Sequence, residues 1–545
     1  MSAMSRLTAL LGRRPSRRRL LQGGGALAGA MLSPRAAAAV AGTRTAPLSG
    51  AGTAQAAGAA SSIYTSVGVR PLINARGTVT IIGATRTLPE VKRAMEAAAR
   101  EYVQLDELMD GVGRRLAELT GAEWGIVTSG ASAALTVATA GCITGGDPDR
   151  MAQLPNLAGL PDEVVTPRYS RTAYDHAIKA VGAKVVEVVT FEAFVAALGP
   201  RTAMVMVLAG RDSEEGPLSL RRIAEVARPL GIPILVDAAA ETLDVPNPHL
   251  AQGADLVAYS GGKCLRGPQC AGLLLGRKPL VQAAWINSAP HHGLGRGLKV
   301  GREEIMGMLA AVEMWMKRDH EAEARMWTGW LEHIAARVGR VPGVTTEIRQ
   351  PRGRSNRTPS LTIRWDTARI PLTGHEVEML LYEGEPRIAV SGAGSFLPFP
   401  PNQEPNIRIS PYQLEAGEER IIAERVYQVL ASPPPAKPAP PAPAFDLAGR
   451  WEVDLDFAAR RSRQTFVLEQ DGAALKGTHH GSFAPRPIAG TLHGRDVLLR
   501  SSYTENGVRL NFTFTGTATA ADAMAGDISL GEYGTARWSA RRVHG

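Results

Sequence analysis

Two residues set the chemistry open to this chain. Asp237 ends the apolar run Ile234-Leu235-Val236, and Lys263 follows Ser260-Gly261-Gly262 just beyond a second run, Leu256-Val257-Ala258-Tyr259. A lysine amine forms a Schiff base with an aldehyde, and a carboxylate keeps a proton on a heterocyclic nitrogen. Pyridoxal phosphate (PLP) needs both, because its protonated ring is the electron sink for reactions at Cα. Either residue alone is ordinary, since strand-end aspartates and loop lysines recur in many α/β proteins. A third feature raises their weight. Trp124-Gly125-Ile126-Val127-Thr128 reads as a strand that breaks at Ser129-Gly130-Ala131-Ser132 into an alanine-rich helix. A helix start offers unpaired N–H groups and positive dipole to a phosphate. Ser129 and Ser132 add hydroxyl donors.

The elements that must carry these residues follow from hydrophobic patterning. Residues from about 88 to 430 alternate helical patterns, such as 220–227, with short apolar runs such as 184–189, 204–208, 234–236 and 256–259. That alternation predicts a mainly parallel sheet flanked by helices. In such sheets ligands lie beyond the carboxyl ends of the strands, where Asp237 and Lys263 fall. Residues 303 to about 338 read as helical, with Met306, Leu309, Ala310, Met314 and Trp315 as a core stripe. A smaller α/β domain is expected after it, with strands at 360–365 and 406–410.

Several segments resemble the fold-type I PLP enzymes of the selenocysteine synthase (L-seryl-tRNA selenium transferase) group, and within it the D-glucosaminate-6-phosphate ammonia lyase branch. They are Gly121-Ala122-Glu123 with Thr128-Ser129-Gly130, the Val236-Asp237 strand, and above all Ser260-Gly261-Gly262-Lys263-x-Leu265-x-Gly267-Pro268-Gln269-x-x-Gly272. The segments 68–78 and 174–178 share the likeness, which covers about residues 62 to 430. The resemblance implies the fold-type I architecture, a homodimer or higher homo-oligomer, and a small-molecule amino compound as substrate. It implies that Lys263 and Asp237 are catalytic. It assigns cofactor contacts to Ser129, Gly130, Ala131, Ser132, Ser260, Asp237 and Lys263, with His176 either stacked on or beside the ring or simply a histidine at a capped helix start. Arg408 would grip the substrate carboxylate, for which a planar guanidinium is suited. The implied reaction is β-elimination of the hydroxyl from a β-hydroxy amino acid or amino sugar acid, followed by hydrolysis to a keto acid and ammonia, with the released Lys263 amine as the base at Cα. Transamination, aldol cleavage, racemisation and selenium transfer use the same electron sink, and a non-catalytic PLP-fold binding protein is the alternative outside enzymes.

The formal charge of +9 does not extend the likeness to tRNA binding. Residues 1–39 hold seven arginines and no acid or lysine, so the rest of the chain is close to neutral. A polyanion partner requires many Lys or Arg contacts. Within the first 39 residues Ser16-Arg17-Arg18-Arg19-Leu20-Leu21 precedes a short, weakly apolar stretch and then alanines, the order of a twin-arginine export signal. The apolar stretch falls short of the roughly 20 residues of a membrane span. Periplasmic or secreted localisation through the twin-arginine machinery is therefore expected. The three cysteines, Cys142, Cys264 and Cys270, form no disulfide framework or zinc spacing, no metal site is expected, and the two near Lys263 are given no chemistry.

The expected organisation is a signal at 1–39, a linker at 40–61, a large PLP-binding domain at 62–300, a small domain at 301–431, a proline-rich linker at 432–444 and an accessory β domain at 445–545. The linker is expected to be stiff because proline favours extended geometry. Short strands beyond it predict an antiparallel sandwich or small barrel. His479-His480 there reads as a solvated pair on a turn.

Overall fold

The computed structural model describes residues 62–392, 402–435, 438–505 and 507–543, so the expected export signal and the linker at 40–61 lie outside the described residues. The large domain is built on a seven-stranded sheet. Its strands are β1 (Trp124–Thr128), β2 (Glu163–Pro167), β3 (Lys184–Val188), β4 (Thr202–Leu208), β5 (Ile234–Asp237), β6 (Leu256–Ser260) and β7 (Gly272–Gly276). Their order across the sheet is β1-β7-β6-β5-β4-β2-β3. The pairs among β2 to β6 are parallel, and β7 runs antiparallel to both β6 and β1. Two reversals cancel, so β1 points the same way as β5 and β6. The ends of all three reach one edge of the sheet.

Near-continuous Val, Ile and Leu in β4 to β7 reflects helices on both faces, which leave no solvated side for alternation. Val205, Val207, Leu235, Val257 and Leu274 are fully buried, each contributing roughly 1.5–3 kcal/mol of transfer free energy. The expected single helix over 303–338 is two: Arg302–Lys317 and His320–Val338. The break falls at Asp319, whose carboxylate accepts from the Ala322 N–H at 2.9 Å and caps the second helix. On the first helix the buried stripe is Ile305, Met308, Leu309, Val312 and Trp315, while Met306, Ala310 and Met314 are only half-buried. Ile305, Met308 and Val312 join the large domain's core, whereas Leu331 and Ile334 of the second helix pack in the core of the smaller domain.

That smaller domain carries an antiparallel sheet of β8 (Val344–Arg349), β9 (Ser360–Trp365) and β10 (Asn406–Ile409), with β9 central. A short parallel ladder joins Ile73–Asn74 to Ile388–Ala389 and ties the chain's early segment to it.

The C-terminal region is a closed eight-stranded barrel with strands in sequential order, β11 (Gly449–Asp456) to β18 (Thr535–Val543). Closure leaves no edge strand. Its core holds Trp451, Phe466, Phe514 and Trp538. The histidine pair is not the solvated turn expected from the sequence: His479 and His480 end strand β13 (Ala474–His480), and the period of two points His479 inward, fully buried, and His480 outward. Among the described residues no helix is long and apolar enough to cross a membrane.

Candidate active site

Strand register assembles the site. Gly272 at the start of β7 is paired with Thr128 on one side and Ser260 on the other, so the turn after β1 and the loop after β6 flank one glycine. A Cβ at Gly272 would fall 2.5 Å from the Gly130 carbonyl carbon and 2.7 Å from the Ala131 nitrogen. Only glycine lets the return strand lie against that turn.

The turn itself opens the helix Gly130–Thr144. Gly130 takes φ +86°, a left-handed conformation that favours glycine. Ser129 occupies the N-cap without making a side-chain cap bond, so its hydroxyl is not committed to the helix. Ala133 onward is almost wholly buried, whereas Ser129, Gly130 and Ala131 are half-buried and Ser132 is exposed. The first N–H groups of a helix lack intrahelical partners, and here they face the edge that Asp237 and Lys263 share.

Asp237 is 5% exposed at the end of β5, and its Oδ1 accepts from the Ala239 N–H at 3.0 Å. Burial pushes its carboxyl above the ordinary range, against the opposing pull of the Ala239 N–H and the Lys263 charge. Glu241 raises it further. Glu241 is itself buried, with Oε2 2.6 Å from Nε2 of buried His249.

Lys263 sits in a closed loop. The Gly261 N–H donates to the Ala271 carbonyl at 2.8 Å, the Gly267 N–H to Gly261 at 2.9 Å, and the Arg266 N–H to the Lys263 carbonyl at 3.1 Å. A Cβ at Gly261 would meet Met308 Sδ at 2.6 Å and the Ala271 oxygen at 2.7 Å, which explains the paired glycines before the lysine. Burial lowers the Lys263 amine below its ordinary value, and Asp237 partly opposes this. Each of the two residues bears on the other's ionisation. Ser260 is half-buried at the end of β6. Cys264 is buried, its Sγ donating to the Glu241 carbonyl at 2.9 Å, and burial pushes its thiol up to about 12, so it is a packing residue.

His176 lies exposed on the short helix Asp175–Lys179, next to Asp175, which is buried and held by Arg171 at 2.6 Å. Arg408, at an exposed position of β10, lines a cavity of about 830 Å³ between the two α/β domains, whose walls include Arg76, Cys264, Arg357 and Tyr412. The Tyr412 hydroxyl lies 3.5 Å from the Lys263 carbonyl, so this cavity reaches the back of the lysine loop.

A second cavity, of about 670 Å³, opens between the enzyme-like region and the barrel, lined by Arg76, Thr172, Ala173 and Glu378 on one side and Arg509, Asn511 and Tyr533 on the other. Tyr174 feels the charges of both Asp237 and barrel residue Glu532. Sequence patterning gave no role to Arg76, Tyr174, Glu378 or the barrel loops. Arg76 stands within the family-like opening 68–78 and Tyr174 within the family-like segment 174–178, which were the available signals.

A protein-family model described as L-seryl-tRNA selenium transferase matches residues 223–347. The chain is 32% identical over 335 residues to a D-glucosaminate-6-phosphate ammonia lyase from Salmonella typhimurium (strain 14028s / SGSC 2262), covering 59% of this chain and 88% of that protein. It is 33% identical over 299 residues to a 5'-C-glycyluridine monooxygenase-decarboxylase from a Streptomyces species, covering 53% and 73% respectively. A solved structure of a D-glucosaminate-6-phosphate ammonia-lyase superposes with a TM-score of 0.60 at 29% identity, over 68% of this chain and all of that one.

Proposed function

Because this chain belongs to the family of PLP-dependent enzymes that includes D-glucosaminate-6-phosphate ammonia lyase and L-seryl-tRNA selenium transferase, we propose that it is a PLP-dependent lyase. It would release ammonia from a β-hydroxy amino acid or an amino sugar acid. The observation that carries the reading is the buried Asp237 beside Lys263 on the edge that also presents the start of the helix Gly130–Thr144.

The residues present fit the cofactor. The Ser129-Gly130-Ala131-Ser132 turn supplies free N–H and hydroxyl donors for a phosphate, and Gly272 keeps that cradle clear. When bound, PLP supplies an aldehyde for the substrate amine and a protonated ring that withdraws electrons from Cα. Asp237 would hold the proton on the ring nitrogen. Its raised pKa reflects a carboxylate buried without a full counter-charge, which a pyridinium would provide. Lys263 would hold the cofactor's aldehyde, and its amine would serve as the base at the substrate's Cα. Burial shifts that amine toward its neutral form. By the family resemblance Arg408 would orient the substrate carboxylate, although the cavity it lines includes Cys264 and not Lys263 or Asp237. In the net change the Cβ hydroxyl leaves as water, and a second water replaces the amine to give a keto acid and ammonia.

The reading includes a homodimer and export by the twin-arginine pathway. Export rests on Arg17, Arg18 and the stretch after them, which lie outside the described residues. Incubating the PLP-loaded protein with a panel of β-hydroxy amino acids and amino sugar acids tests the reaction. Stoichiometric ammonia and keto acid are expected. Aldehyde without ammonia, or amine transfer to a second keto acid, would replace elimination by aldol cleavage or transamination.

A further inference from the structure

The barrel contains a polar cluster that the enzyme reading does not use. Arg486, on strand β14 (Arg486–His493), is only 3% exposed. Its Nε lies 3.2 Å from His479 Nδ1 and 3.4 Å from Ser501 Oγ, and its guanidinium carbon sits 4.4 Å above the Tyr503 ring and 4.5 Å above that of Phe512. His479 Nε2 is 2.5 Å from Gln464 Oε1. Among the described residues no carboxylate pairs with Arg486. A buried cation without a counter-ion is costly to maintain, and the neighbouring groups give it hydrogen bonds and ring faces but no compensating charge. Room for the guanidinium is built in, because a Cβ at Gly481 would fall 2.8 Å from its Nη1.

Arg486 lines a cavity of about 420 Å³ at the barrel mouth, walled by Phe483, Tyr503, Phe512, Leu530 and Asn511. Arg486 is the one ionised side chain of that lining at neutral pH. Burial and the Arg486 charge push His479 down to about 3, so the histidine stays neutral and adds no second charge. A second, independent observation concerns Asn511, whose Oδ1 is buried without a hydrogen-bond partner. The cluster thus offers a cation and an unused acceptor on an aromatic wall. Asn511, Leu530 and Tyr533 line both this cavity and the one facing the enzyme-like region, so the barrel mouth adjoins that entrance.

We propose that the barrel mouth is a binding site for a small organic anion carrying a hydroxyl or amino donor, with the anion on Arg486, the donor on Asn511 and an apolar flank on the aromatic wall. The site is separate from the PLP site and stands whether or not the lyase reading holds. A guanidinium suits a carboxylate or a phosphate equally.

Isothermal titration of the full-length protein with mandelate, mandelamide and phenylacetate tests this, with phenyl phosphate as the arm that separates phosphate from carboxylate. Mandelate should bind saturably, mandelamide about tenfold or more weakly for want of the charge, and phenylacetate more weakly for want of the hydroxyl. Arg486→Met should abolish the preference for mandelate over its amide, and Asn511→Ala the preference for mandelate over phenylacetate. Phe483, 55% exposed at the rim, gives a variant that leaves the core intact, and Phe483→Ser should weaken mandelate binding. Arg408→Met should leave mandelate binding unchanged, which separates this site from the enzyme's own. Absence of saturable mandelate binding, equal binding of the amide, or a preference that survives in Arg486→Met would overturn the proposal.

Discussion

Asp237 and Lys263 are each moved toward their neutral form by burial, and each opposes the other's shift. On the proposed mechanism the bound cofactor's protonated ring would supply the positive charge that the buried Asp237 carboxylate lacks. Asp237→Asn should therefore retain much of the PLP, since the phosphate cradle is untouched, while kcat falls about a hundredfold or more. Near-wild-type kcat would make Asp237 a mere strand end. Glu378, at the entrance beside Arg76, is raised to about 6 by burial, from an ordinary 4.5. Folding then takes up a proton between these values, so the wild-type protein loses stability as pH rises through that window. Glu378→Gln should raise Tm at pH 8 and leave it nearly unchanged at pH 4, as thermal melts at both values will show. Asp237 and Lys263 were legible in the sequence because strand-end position and paired glycines are local signals. Arg76, Tyr174 and Glu378 were not, because their place at the site depends on domains far apart in the chain.

The same division holds among the elements. The strand-turn-helix around Ser129 and the loop from Ser260 to Gly272 each have local signatures, whereas their proximity depends on β7 pairing with both β1 and β6. Gly272→Ala tests that arrangement directly. Its Cβ would meet Gly130 backbone at 2.5 Å, an overpacking that typically costs about 1–3 kcal/mol. It should lower Tm and weaken PLP affinity together, measured by melting and cofactor titration; a fall in Tm alone would detach Gly272 from the cradle. The helix break at Asp319 is hard to see in the sequence because Arg318-Asp319-His320 contains neither proline nor glycine, and a capping aspartate inside a periodic stretch is easily taken as an exposed helix residue. His479 was misplaced for the converse reason. It shares its strand's inner face with Leu475, and its ring turns toward Arg486 and Gln464, so polarity gave the wrong side.

For the whole molecule, composition separated the C-terminal β region from the α/β region, and the proline-rich stretch marked the join. What composition could not convey is that barrel loops return to the enzyme's entrance. A Cβ at Gly507 would meet the Thr172 carbonyl oxygen at 2.3 Å and Asp175 Oδ2 at 2.8 Å. Removing residues 445–545 should leave a soluble, PLP-loaded homodimer, because every cofactor candidate precedes the barrel, but with KM altered by loss of the outer entrance wall. Size-exclusion chromatography, the visible spectrum and steady-state kinetics of the truncated protein check this, and loss of bound PLP would place the barrel in the cofactor site itself. Replacing Arg17 and Arg18 with lysine should strand precursor in the cytoplasm, as cell fractionation will reveal, because the motif is read by a receptor rather than through charge alone. The central claim is that Lys263 is the cofactor lysine. Borohydride reduction of the PLP-loaded full-length protein followed by peptide mapping tests it most directly. A phosphopyridoxyl group on Lys263, lost in Lys263→Ala, is the predicted result; the group on another lysine, or no trapped group on a protein that binds PLP, would contradict that claim.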